Sequence, residues 1–204
     1  MRANHLEILV EERSMEALLQ EILPAILGKE ASFAIHPFRC KNDLLAKLPQ
    51  RLESYAGFLP DDWRIVVIVD RDNDDCRDLK QRLEEMASAV GLTARTSQSR
   101  EKPWQLVNRI AIEELESWYF GEWDAVRKAY PRVPQHLRRR KNFHDPDAIA
   151  GGTWEAFERV MQRAGYFREG LRKTKAAQAI GREMTPCRNK SRSFQVLREA
   201  LLDC

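Results

Sequence analysis

Three acidic clusters hold the residues of this chain best suited to chemistry: Glu11-Glu12, Asp70-Arg71-Asp72, and Glu113-Glu114-Leu115-Glu116. Crowded carboxylates repel one another and need a counter-charge. A divalent cation is the simplest one, and ligation by oxygen alone points to Mg²⁺ or Mn²⁺. Asp70 and Asp72 are two residues apart, so an extended chain would aim both side chains to the same side. Glu11, Asp70, Asp72 and Glu116 are therefore the candidate metal ligands, and Glu11, Asp70 and Asp72 the candidate catalytic residues. One or two ions held this way would serve phosphoryl-transfer chemistry. Plainer roles compete. Asp74 or Asp75 reads as a helix cap, and Glu116, opening a helix, equally suits a dipole partner.

Each cluster follows an apolar run that reads as a strand. Ile65, Val66, Val67, Ile68 and Val69 are five β-branched residues in a row. A run without alternation suits a strand covered on both faces, as in a parallel sheet under helices. Strands are also expected over 5–10, 32–38, 92–96 and 106–112. Helices are expected between them, with Ser14 as N-cap of the first and Gly91 closing the third. Pro24 is expected to kink or end the first helix, and Pro49 sits awkwardly in the second. The order argues for an α/β fold, Rossmann-like, with an open and mostly parallel sheet between helices. Strands that run on into helices this way end on one edge of such a sheet, where ligands gather. The three clusters would converge there.

After Gly121 the strand signal stops. Residues 1–122 are read as an α/β core and 123–204 as a basic helical extension packed on it. The core holds 16 Lys/Arg and 22 Asp/Glu, net −6, and the extension 18 and 9, net +9. An acidic part beside a basic part suits a metal centre plus a surface for a polyanion. Arg138-Arg139-Arg140-Lys141 is a solvated face or a backbone contact for nucleic acid. Trp118-Tyr119-Phe120 reads as core. The four scattered cysteines read as reduced thiols, and the four histidines lack metal-ligand spacing. No apolar run approaches a membrane span and the N-terminus lacks a signal-peptide core, so the expected location is cytoplasmic, with no membrane partner. No phosphate-binding Gly-x-x-x-x-Gly-Lys-Ser/Thr loop is present.

The motifs also carry a resemblance. Val10-Glu11-Glu12-Arg13-Ser14-Met15-Glu16 resembles the first Toprim motif, and Asp70-Arg71-Asp72 resembles the Toprim Asp-x-Asp. The whole pattern is closer to a Toprim-like group, domain-of-unknown-function family 4276. The likeness adds Glu114-Leu115-Glu116-Ser117-Trp118, Lys175, and Asn189-Lys190-Ser191-Arg192-Ser193-Phe194. It implies a Toprim-like fold with a Mg²⁺ (or Mn²⁺) site in which Glu11 acts as ligand or general acid/base and Asp70 and Asp72 bind metal. Glu12 stands where the Toprim motif has glycine. Lys175, Arg188, Lys190 and Arg192 fall in or beside these motifs and are the candidate nucleic-acid contacts. Ser191 and Ser193 are read as helix caps. The resemblance implies a nuclease or other phosphodiesterase, with a partner ATPase in a phage-defence setting. The alternatives are a non-catalytic ATPase-associated subunit with a degenerate core, or a hydrolase of small phosphorylated molecules.

Overall fold

The computed structural model describes residues 3–28 and 31–204. The β-branched run forms β3 (Trp63–Asp70), inside a four-stranded, all-parallel sheet. β1 (His5–Val10) and β4 (Leu106–Ala111) flank β3, and β2 (Ser32–Pro37) lies beyond β1. Ile65, Val67 and Val69 pack with leucines of α2 (Lys41–Ala56) and α3 (Cys76–Ala89). Val66 and Ile68 join a second cluster, with Met15, Leu18, Leu19 and Ile22 of α1 (Arg13–Leu27). Burial on both faces is what an uninterrupted apolar strand requires.

The second cluster is completed by the C-terminal helices. These are α4 (Glu116–Gly121), α5 (Trp123–Ala129), α6 (Thr153–Arg163), α7 (Lys173–Gly181) and α8 (Arg192–Leu202). Trp118, Tyr119 and Phe120 are all buried in it, with Phe157 and Phe194 packed against them. α7 lies on α1, and α8 lies on β4, where Arg109 Nε donates to the Val196 carbonyl at 3.2 Å. The basic tail thus covers one face of the sheet. The close approach of α7 to α1 depends on Gly181. A Cβ there would stand 2.9 Å from Glu21 Cβ and 3.2 Å from Leu18 Cδ1. Gly181→Ala is expected to lower unfolding stability by about 1–3 kcal/mol, read from the denaturant midpoint.

Several local expectations are corrected. Segment 92–96 does not form a strand. Ala94 makes one isolated bridge to Leu106, and a 3₁₀ turn (Arg95–Ser97) follows at once. The first helix starts at Arg13 after an extended Glu12, so Ser14 is a buried first-turn residue and not the N-cap. Pro24 does not stop α1 until Leu27, and Pro49 lies inside α2. Leu23 and Leu48, each beside its proline, are fully buried, so packing outweighs the lost backbone bond. Asp75 does cap α3, accepting from Arg77 N at 2.8 Å and Asp78 N at 3.1 Å. All four cysteines are free. No helix among the described residues is long and apolar enough to cross a membrane.

Candidate functional site at the carboxyl edge of the sheet

β1 has β2 on one side and β3 on the other. The chain therefore leaves β1 in one direction and β3 in the other, and the crevice of an open sheet lies at such a switch point. β1 and β3 run in register up to Val10 opposite Ile68. The acids just beyond them become neighbours: a Glu11 carboxylate oxygen accepts the Asp70 N–H at 3.1 Å. Asp70 ends β3 and is 5% exposed, with Oδ1 buried and without a hydrogen-bond partner. Glu116 opens α4 at 1% exposure, and neither of its carboxylate oxygens has a partner.

Burial is the first cause of the electrostatics here, and repulsion the second. It raises the Glu11 carboxyl above its ordinary value; the Asp70 N–H opposes this and the Asp72 charge adds to it. It raises Asp70 well above the carboxylate range, reinforced by Glu11, Glu116, Glu12 and Asp72. It pushes Glu116 up to about 7 against the pull of Lys173. The phenol of Tyr119, buried and unpartnered, is raised well above its usual value by burial and then by Glu116, Glu12 and Asp70.

Asp72 goes elsewhere. The backbone does not stay extended past Asp70, so the two-residue spacing does not set its direction. Asp72 has φ 49° and Glu113 has φ 60°, and the Asp72 N–H donates to the Glu113 carbonyl at 2.8 Å. Two non-glycine residues in the left-handed region, tied to each other at the site's edge, are stored strain. The turn delivers Asp72 to Lys41 Nζ at 2.6 Å, and the same ammonium reaches Asp74 at 2.9 Å and the Arg71 carbonyl at 3.0 Å. In the third cluster Glu113 pairs with Arg71. Glu114 accepts from Thr153 Oγ1 at 2.9 Å and Trp154 N at 2.8 Å, holding the start of α6. That leaves Glu116 free.

Two cations escaped the sequence reading. Lys173 opens α7 and stands 3.6 Å from Glu12. Burial lowers its pKa, but Glu116, Glu12, Asp70 and Glu114 outweigh burial and raise it. Lys41 opens α2, raised likewise by Asp72 and Asp74 against burial. Each ammonium sits at a helix N-terminus, where the helix dipole disfavours it. That misplacement was the available signal, because only nearby acids make it tolerable. Beside the centre a cavity of about 660 Å³ is lined by Glu12, Arg13, Ser14, Phe38, Arg39 and Lys173, among others. Glu12, in place of glycine, takes an ordinary extended φ of −148°. The Ser14 hydroxyl donates to its carboxylate.

The four expected nucleic-acid contacts do not gather on that cavity. Lys175 faces another, with Tyr130 and Tyr166. Arg188 and Lys190 line a third, and Arg192 pairs with Glu199 at 3.5 Å on α8. The other motif residues are structural, but of the two serines read as caps Ser191 is one and Ser193 is not, since it lies inside α8. Ser191 caps α8 at Phe194 N, Trp118 Nε1 donates to Ser193 Oγ at 3.0 Å, and the Asn189 amide donates to the Trp118 carbonyl at 2.8 Å. Asn189 Oδ1 lies so close to Gly121 that a Cβ there would meet it at 2.0 Å. The Glu-x-Glu-x-Trp and Asn-x-Ser-x-Ser-Phe segments are thus two halves of one latch.

Among the described residues, no three His, Cys, Asp or Glu side chains are grouped so as to hold a metal ion as they stand. The donor chemistry still fits a hard cation. Mg²⁺ is commonly held by only one or two carboxylates, its other positions filled by water and substrate phosphate. The unpartnered buried oxygens of Asp70 and Glu116 are donors of that kind.

Fold and site together define an α/β domain with a buried acidic centre at its switch point. The chain belongs to the family described as Domain of unknown function (DUF4276), matched over residues 10–202. The match runs from the end of β1 through α8, so it includes all three acidic clusters and the latch. Neither a curated protein nor a solved structure matched the chain.

Proposed function

We propose that the chain is a metal-dependent phosphodiesterase of Toprim type that cuts nucleic acid, working with a partner ATPase. The observation that carries this reading is the pair of buried, unpartnered carboxylates, Asp70 and Glu116, at the switch point. Nothing among the described residues satisfies those oxygens, and a buried unpaired acid is costly to keep. Asp70 and Glu116 would hold Mg²⁺ or Mn²⁺, with Glu11 beside them and Asp72 joining on release from Lys41. When bound, the ion would polarise the scissile phosphate and lower the pKa of a ligated water. Glu11 is the candidate to hold the water's proton. Lys173, close to both acids and to the cavity, would neutralise the phosphate that bare carboxylates repel. Arg13 and Arg39 on the cavity wall, neither in an ion pair among the described residues, would orient it. The Toprim likeness of Glu11 and Asp70-Arg71-Asp72 supports the same assignment.

Two observations favour second readings. A cavity of about 660 Å³ lined by four cations, Arg13, Arg39, Lys47 and Lys173, suits a small phosphorylated molecule. The lock of Lys41 on Asp72 suits a non-catalytic subunit in which lysine has replaced the ion. One assay separates the three. Plasmid, single-stranded DNA and a generic phosphodiester such as bis-p-nitrophenyl phosphate are incubated with Mg²⁺ or Mn²⁺, with and without co-purified partner. Metal-dependent cleavage of the polymers is expected. Turnover of the small ester alone would move the substrate class. No metal binding by calorimetry, with no cleavage in any arm, would leave the scaffold.

A further inference from the structure

A cavity of about 490 Å³, lined among others by Glu122, Asp124, Arg138, Arg139, Arg188 and Lys190, shares no lining residue with the one beside the acidic centre. Its two carboxylates are engaged. Glu122 accepts the Thr185 N–H at 2.9 and 3.0 Å, and Asp124 pairs with Arg127 at 3.7 Å. Its four cations are not. Arg188 is near enough to lower the Glu122 carboxyl pKa, but it does not bond it. Among the described residues no side chain of Arg138, Arg139, Arg188 or Lys190 makes an ion pair or hydrogen bond, and Arg138 Nε is buried without a partner.

The backbone beneath these cations is fixed. Arg138 and Arg139 belong to a 3₁₀ turn (Leu137–Arg139) anchored by buried Leu137. Arg188 ends a second turn (Pro186–Arg188). The Lys190 N–H donates to the Gly121 carbonyl at 2.9 Å, and neighbouring Asn189 is locked into the latch. Four like charges held on a rigid wall repel each other, and the two carboxylates on that wall are already engaged by the Thr185 N–H and Arg127. Guanidinium forks match phosphate oxygens in pairs, and a fixed wall loses little entropy on binding. We infer that this cavity is a phosphate-binding site separate from the acidic centre. It takes the backbone phosphates of a nucleic acid or the phosphates of a free nucleotide. The inference does not rest on the metal reading, since no acid of that centre contributes to it.

The test uses the full chain, with a short DNA duplex followed by fluorescence anisotropy and ADP followed by calorimetry. In Arg139→Ala/Arg188→Ala, two exposed positions, affinity for at least one probe is expected to fall on the order of tenfold or more. For the duplex, the log–log salt slope should flatten by about two units. Lys190→Glu, also exposed, should weaken the same probe and serves as the second variant, with melting curves confirming that each is folded. Loss confined to the duplex identifies a backbone site, and loss of ADP binding a nucleotide site. Arg100→Ala, at an exposed cation in the loop before β4 that lines neither cavity, should bind as the wild type does. Failure of the wild type to bind either probe, undiminished binding by the variants, or an equal loss in Arg100→Ala would overturn the proposal.

Discussion

Asp70→Asn is expected to abolish metal-dependent hydrolysis and, at the same time, to raise the thermal stability of the metal-free protein. The two effects have one cause. Asp70 is buried at the end of β3, one carboxylate oxygen has no partner, and its carboxyl is raised well above the ordinary range. At pH 8 the unfolded chain holds this group ionised in water. The folded chain must either bury the charge beside Glu11 and Glu116 or take up a proton from dilute solution. Asparagine does neither, and it keeps the backbone N–H that donates to the Glu11 carboxylate. The gain in EDTA should be on the order of 1–3 kcal/mol. The loss of a ligand should reduce kcat/KM by on the order of a thousandfold or more, as expected when the preorganised charge that stabilises a transition state is removed. Melting in EDTA at pH 8 and cleavage with Mn²⁺ check the two halves separately. An active variant would remove Asp70 from the metal site. A less stable one would mean that the acid is paired in the fold.

The fold was legible because its signals are local. Five consecutive β-branched residues can hardly be anything but a strand buried on both sides, and the acids that follow this run and two other strands of the parallel sheet lie at one edge. Glu11 and Asp70 came together because parallel register alone brings the ends of β1 and β3 side by side. Asp72 points to Lys41 and not alongside Asp70, as the two-residue spacing had suggested, because one backbone angle decides its direction. A single left-handed residue ends the alternation, and sequence spacing does not show it. Residues 92–96 had the composition of a strand but not the room, with one bridge at Ala94 before the chain turns.

The expected cations lie apart from the acidic centre for a different reason. Lys175 and Lys173 are two residues apart on α7, so a helix turns them to different sides. The conspicuous motif position faces a separate cavity and the unremarkable neighbour faces the acids. Arg188 and Lys190 were read as partners of the acidic centre and instead share a wall with Arg138 and Arg139. Net charge located a basic half of the chain correctly but carried no information about which cations share a surface. The Trp118–Ser193 and Trp118–Asn189 bonds join residues 75 and 71 apart in sequence. Motif order showed that both segments mattered. Only the packed structure shows that they matter to each other.

Glu116→Gln is expected to remove a loss of stability that the wild type suffers as pH rises from about 4.5 to about 7. The ordinary carboxyl value is 4.5, and burial on α4 pushes Glu116 up to about 7. Between those values the unfolded chain has released the proton and the folded chain still holds it. The folded state then binds more protons, so unfolding free energy falls with rising pH. The contribution is zero below about 4.5, grows through the window, and levels off above 7 at about 3 kcal/mol of destabilisation. This is the reverse of the usual carboxylate, whose folded value is depressed. Glutamine keeps the shape and does not titrate, so the difference between variant and wild type in EDTA reads the titration of Glu116 together with its repulsion of Asp70. Lys173 already limits the shift. Lys173→Met should therefore extend the wild-type loss to higher pH, while having little effect in the Glu116→Gln background. Saturating Mg²⁺ should flatten the wild-type curve, because an ion binding the ionised carboxylate displaces the proton that the fold otherwise retains. Denaturant midpoints measured from pH 4.5 to 8, with EDTA or Mg²⁺, give each of these curves. Parallel wild-type and Glu116→Gln curves in EDTA would mean that Glu116 does not change charge in this range. A Mg²⁺ effect that persists unchanged in Glu116→Gln would place the ion on Asp70 and Glu11 without it.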